Sequence, residues 1–120
     1  MPRTLPLLED TAPICCAPLD GDQPLTADEA VALAVRLKAL GDPTRLQLLS
    51  HLLGRPGREA STGELARTVG LSDPTVSHHL KTLEGAGLVT KERRGMSVHH
   101  CVVPEAIHAI ARVLHLDACC

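Results

Sequence analysis

Apolar residues recur at the three-to-four-residue spacing of amphipathic helices over most of this chain, and switch to near-alternation once, around residues 88–103. Thr26, with Glu29 three residues on, has the form of a capping box. The helix it opens, "ADEAVALAVRLKAL", stops at Gly41. Val31, Leu33, Ala34, Val35, Leu37 and Leu40 cover more than one stripe of that helix, which predicts burial on two sides, one toward the core and one toward a second subunit. Asp42 caps the next helix, with Pro43 in the favoured first position, and "TRLQLLSHLL" runs to Gly54. Residues 55–60, "RPGREA", are expected to be a loop. Ser61 or Thr62 begins a short helix, "GELARTV", closed by Gly70, and Ser72 caps a longer one, "DPTVSHHLKTLEGAG". "LVTKERR", "GM" and "SVHHCVV" predict a strand, a tight turn and a strand. Pro104 opens a last helix, "EAIHAIARVLHL".

The short helix, Gly-containing turn and longer helix form a helix-turn-helix pattern. At about 100° per residue, Val76, Leu80 and Leu83 share one seam of the longer helix and face the core. Pro74, Thr75, His78, Lys81 and Thr82 lie opposite, with Ser77 on the flank. Such a small, hydroxylated, partly basic face suits phosphates and base edges in a major groove. The cap Ser72 and Asp73 stand at the N-terminal end, where the helix dipole favours a phosphate. The hairpin tip brings Lys91, Arg93 and Arg94 beside that helix, which is the layout of a wing. His79, at the edge of the seam, is read as structural.

Charge supports this division. The net charge is −2, but residues 1–30 hold one basic and six acidic residues, whereas residues 31–120 hold eleven basic and eight acidic. The body is mildly basic and compatible with nucleic acid. Residues 1–24 carry Pro2, Pro6, Pro13, Pro18 and Pro24 and read as an irregular arm, separate from a folded unit over 25–116 and a tail over 117–120. With no Phe, Tyr or Trp, the core must be aliphatic, and an aliphatic core of this size gains from burying surface in an oligomer. No apolar run suits a signal sequence or a membrane span, which predicts a cytoplasmic protein.

Thiols stay reduced in that compartment, so five cysteines argue for metal or redox use. Four of them form adjacent pairs: Cys15 and Cys16 in the arm, Cys119 and Cys120 at the end. Trivalent arsenic and antimony are soft and bind three thiolates, and soft ligands also suit cadmium, lead and copper(I). In an irregular segment neighbouring cysteines can turn to one side, whereas a strand would point them apart. If arm and tail approach each other, either thiol of the tail can complete the Cys15/Cys16 set. A separate two-thiol site in the tail is the alternative. Cys101, in the second predicted strand, is expected in the core as a small hydrophobe. Thiol sensing of persulfide or peroxide is an alternative to metal binding. No Cys-x-x-Cys, carboxylate pair or Gly-rich phosphate loop points to an enzyme.

The segments "LKALGDPTRLQLLSHLL", "GELARTVGLSDPTVSHHLKTLEGAGLV" and "ERRGMSVHHCVVPE" closely resemble the ArsR/SmtB family of metal- and metalloid-responsive repressors, over about residues 27–116. The resemblance implies a mainly α fold with a small β-hairpin: a winged helix-turn-helix of four helices, two strands and a fifth helix, homodimeric through the first and last helices. It implies a repressor that binds a palindromic operator on double-stranded DNA and dissociates when an inducer binds. The Cys-x-Cys that some arsenic-responsive members carry in the first helix of the helix-turn-helix is missing from "GELARTV". The resemblance also implies an alternative zinc site on the last helix, for which this chain offers Glu105, His108, His115 and Asp117, but the family's Asp-x-His opening is missing. Other arsenic-responsive members carry a Cys-Cys in the N-terminal arm, which adds to the case for Cys15 and Cys16 as ligands of As(III) or Sb(III).

Overall fold

The computed structural model describes residues 23–114. Five helices and a small sheet make up the fold: α1 (Ala27–Leu40), α2 (Pro43–Leu53), α3 (Thr62–Val69), α4 (Asp73–Gly85) and α5 (Pro104–Leu114). Strands β1 (Glu59–Ser61), β2 (Val89–Arg94) and β3 (Ser97–Val102) pair antiparallel in the order β1-β3-β2. The predicted fold class holds. Among the described residues no helix is long and apolar enough to cross a membrane.

Local chemistry starts the helices where the sequence indicates. Thr26 accepts from Glu29 N–H while the Glu29 carboxylate accepts from Thr26 N–H, and Ser61 and Glu64 repeat this reciprocal cap on α3. Asp42 accepts from the N–H groups of Thr44 and Arg45 at 2.9 and 3.2 Å, and Pro43 occupies the first turn of α2. Gly70 ends α3 in the left-handed region, at φ 73°, and its N–H and that of Leu71 both return to Ala66 C=O. That turn re-aims the chain from α3 into α4.

One segment departs from expectation. Residues 55–60 contain a single 3-10 turn, Pro56–Arg58, and then enter β1, whose Glu59, Ala60 and Ser61 pair with Cys101, His100 and His99. Three residues are too few to show a period, so only the pairing to β3 makes them a strand.

The core is aliphatic, with Leu48, Leu52, Leu65, Val76, Leu80, Leu83, Leu88 and Val89 at 2 % exposure or less. On α1, Leu33 and Ala39 join it, while Ala30, Ala34 and Leu37, spaced four and three apart, stay exposed. α1 therefore carries the second apolar stripe that its composition predicts. The inward seam of α1 also contains a cation. Arg36 is 6 % exposed, donates to Ala32 C=O at 3.3 Å, and has no partner for its Nε among the described residues. Burial lowers its pKa.

Candidate nucleic-acid interface

α4 is seated by Val76, Leu80 and Leu83, all within 1 % of full burial, as its period predicts. Ser72, Thr75, Ser77, His78 and Lys81 are exposed on its outer side. Ser72 caps the helix by accepting from Thr75 N–H at 3.3 Å, and its hydroxyl donates to Thr75 Oγ1 at 3.0 Å. Thr82 is half-buried, with its hydroxyl turned back onto His78 C=O at 3.3 Å, so it contributes less to the outer face than the period suggests.

Arg45 and His79 brace α4 from behind. Arg45 Nε donates to Ala39 C=O at 2.6 Å, at the end of α1, and its Nη1 lies 3.1 Å from His79 Nδ1. A guanidinium only donates, so Nδ1 accepts. The cap carboxylate of Asp42 stands 3.8 Å from the same nitrogen. His79 thus joins α4 to the α1–α2 corner, the structural part expected of it. Arg45 was not singled out in the sequence, because its partners are distant in the chain.

The wing divides by strand alternation. Val89 points into the core, so Lys91 and Arg93 share its face, the one that α4 packs against. Lys91 Nζ is 3.8 Å from Glu84 Oε1 of α4. Arg93 is exposed and, among the described residues, forms no ion pair. Arg94 lies on the opposite face and is held by carboxylates of Glu59 and Glu92. The three basic residues that the sequence groups at one tip therefore stand in two environments.

Behind the wing, His100 of β3 is 5 % exposed and its Nε2 lies 2.7 Å from Thr62 Oγ1, in the first turn of α3. Burial depresses its pKa below the ordinary histidine value; Glu84 opposes this, and Lys91 and His99 add to it. A histidine kept neutral in the fold binds fewer protons than in the unfolded chain. Stability is therefore complete above the unfolded value, about 6.5, and falls as pH drops toward the folded one. His100→Gln is expected to flatten the pH dependence of the urea midpoint as pH falls below about 6.5, followed by far-UV circular dichroism. Parallel slopes for the two proteins would refute this.

Cys101 is not a core residue. It is half-buried on the face of β3 opposite His100, with its Sγ 3.8 Å from Gly57 C=O, and lines a shallow cleft with Leu53, Arg55, Arg58 and Pro104. The strand that carries it alternates, and the alternation that buries His100 and Val102 turns Cys101 outward. Cys15, Cys16, Cys119, Cys120, His115 and Asp117 lie outside the described residues. Among the described residues no three His, Cys, Asp or Glu side chains form a group able to hold a metal ion; Glu105 and His108 are exposed on α5.

Residues 40–92 match the helix-turn-helix domain family. The chain is 38 % identical over 89 residues to the HTH-type transcriptional regulator YgaV of Escherichia coli, covering 74 % of this chain and 85 % of that protein. It also superposes on a homodimeric winged helix-turn-helix DNA-binding domain from Mycobacterium bovis, a possible ArsR-family regulator. There the TM-score is 0.61 at 25 % identity, over 74 % of this chain and 83 % of that one. The chain belongs to the ArsR/SmtB family. Another structure of this type, the AntR antimony-specific transcriptional repressor, matches at TM-score 0.64 and 31 % identity, over 78 % of this chain and 85 % of that one. As an ArsR/SmtB protein, the chain is a DNA-binding transcriptional regulator and not an enzyme. α3 and α4 are its helix-turn-helix, and β2 and β3 are its wing.

Proposed function

We propose that this protein is a cytoplasmic, homodimeric repressor that leaves its operator when trivalent arsenic or antimony binds the thiolates of Cys15 and Cys16. The observation that carries this reading is the adjacent cysteine pair in a proline-rich arm, beside a family scaffold whose described part contains no other metal-holding group. The likeness to an antimony-specific repressor supports it. Cys119 or Cys120 is the proposed source of the third thiolate. The exposed stripe of Ala30, Ala34 and Leu37 on α1 is the proposed half of the dimer contact, joined by Leu114, exposed at the end of α5. Ser72, Thr75, Ser77, His78, Lys81 and Arg93 are the proposed DNA contacts of each subunit.

Release follows from differential binding. The free dimer favours the spacing of its two α4 helices that matches successive major grooves, and an inducer shifts this equilibrium only by its preference for another conformation. The test is fluorescence anisotropy of labelled DNA from upstream of the protein's own gene, with reduced protein, then arsenite, antimonite, cadmium, zinc or a persulfide donor. Release by arsenite or antimonite alone is expected. Release by zinc, cadmium or persulfide alone would keep the regulator and overturn the inducer.

A further inference from the structure

Glu59 and Arg94 lie on the sheet face turned away from α4, Glu59 in register with Cys101 and Arg94 with Ser97. Every nitrogen of the Arg94 guanidinium is taken by a carboxylate. Nη1 and Nη2 donate to the two oxygens of Glu59 at 3.2 and 2.9 Å, and Nε and Nη2 donate to Glu92 Oε1 at 3.3 and 3.0 Å. Two carboxylates against one guanidinium leave this cluster with one excess negative charge. The hydrogen bond from Arg94 holds the Glu59 carboxyl below its usual range.

A carboxylate offers a guanidinium the same bidentate acceptor that a phosphate does. We infer that Glu59 and Glu92 form a latch that holds Arg94 off the DNA backbone, so that the wing meets phosphates through Arg93 while Arg94 is a positioning residue. The latch also reaches the helix-turn-helix. Ser61, the last residue of β1, is the N-cap of α3, and Arg55, just before the 3-10 turn, pairs with Glu64 of α3 at 3.1 Å. The angle between wing and α3–α4 is thereby set by an ion pair as well as by the β1–β3 ladder. Its use is discrimination. A freed Arg94 would strengthen binding to any duplex, because phosphate contacts carry no sequence information.

This inference rests on the family's DNA binding and not on the inducer, and no metalloid enters its test. The full-length wild type, Arg93→Gln, Arg94→Gln, Glu59→Gln and the Glu59→Gln/Arg94→Gln double variant are titrated by anisotropy against the upstream duplex and a scrambled one, over a series of salt concentrations. Arg93→Gln is expected to lower the slope of log K against log salt by about 0.9 per subunit, the loss of one phosphate contact, and Arg94→Gln to leave it unchanged. Glu59→Gln is expected to steepen the slope by about the same amount and to tighten the scrambled duplex more than the upstream one. That gain should vanish in the Arg94→Gln background, which separates a latch from simple removal of a negative charge. Equal gains from Glu59→Gln in both backgrounds, or an Arg94→Gln loss matching that of Arg93→Gln, would overturn the latch. The substituted side chains are partly exposed, so the fold is expected to persist, with thermal melting by circular dichroism as the check.

Discussion

Replacing Cys15 and Cys16 together by serine is expected to abolish release by arsenite while leaving operator affinity within about twofold, because neither residue belongs to the helix-turn-helix. Coupling between an inducer and DNA is typically about 1–3 kcal/mol, or roughly 5–150-fold in affinity. The variant should lose all of that factor, since a hydroxyl is a poor ligand for a soft ion. Cys119→Ser/Cys120→Ser tests the third thiolate. A partial loss places the tail in the same site, whereas an unchanged response excludes it. Cys101→Ser is expected to respond as the wild type does, because Cys101 is held on the sheet face beside Gly57. Intact arsenite response in the Cys15→Ser/Cys16→Ser protein would remove the arm from the mechanism.

Leu80→Ala is expected to give the largest change in stability. Leu80 is 1 % exposed, on the buried side of α4, in the same core as Leu48 and Leu52 of α2. Deleting a leucine side chain from such a site costs about 2–5 kcal/mol, from transfer and from the cavity left. A small domain has about 5–15 kcal/mol in all. The melting temperature should fall by roughly 10 °C or more, read by circular dichroism because the chain has no Trp or Tyr. Both proteins must be compared at one concentration, since a dimer's stability depends on it. Operator affinity should fall with it, as α4 loses its seat. A cost under about 1 kcal/mol would mean that α4 is not held by this seam.

The two experiments address different layers of the chain. Local rules placed the helices and the hairpin. Thr26 with Glu29, Asp42 with Pro43, Ser61 with Glu64, and Ser72 each satisfy nearby backbone N–H groups, so helix starts could be read from four or fewer consecutive residues. Gly95, at φ 64°, with Met96 makes the two-residue turn between β2 and β3, and such turns are also local. The seam of Val76, Leu80 and Leu83 followed from helical period alone, and so did the exposed face of α4 opposite it, Thr82 excepted.

By itself, then, the amino-acid order determined the helices, the hairpin and the buried seam of α4, since each depends on neighbours within a few residues. Tertiary structure decided what depends on partners far apart in the chain. β1 is a strand only because β3 lies beside it. Arg94 is a clasp rather than a free cation because Glu59, 35 positions earlier, arrives on the same sheet face. Cys101 left the core because the strand's parity had already assigned the inward positions to His100 and Val102. Arg36 is a buried cation on the inward seam of α1, with its guanidinium beside Gly87, far along the chain. In each case a polar or short segment took its state from the free energy of a contact that no local pattern encodes.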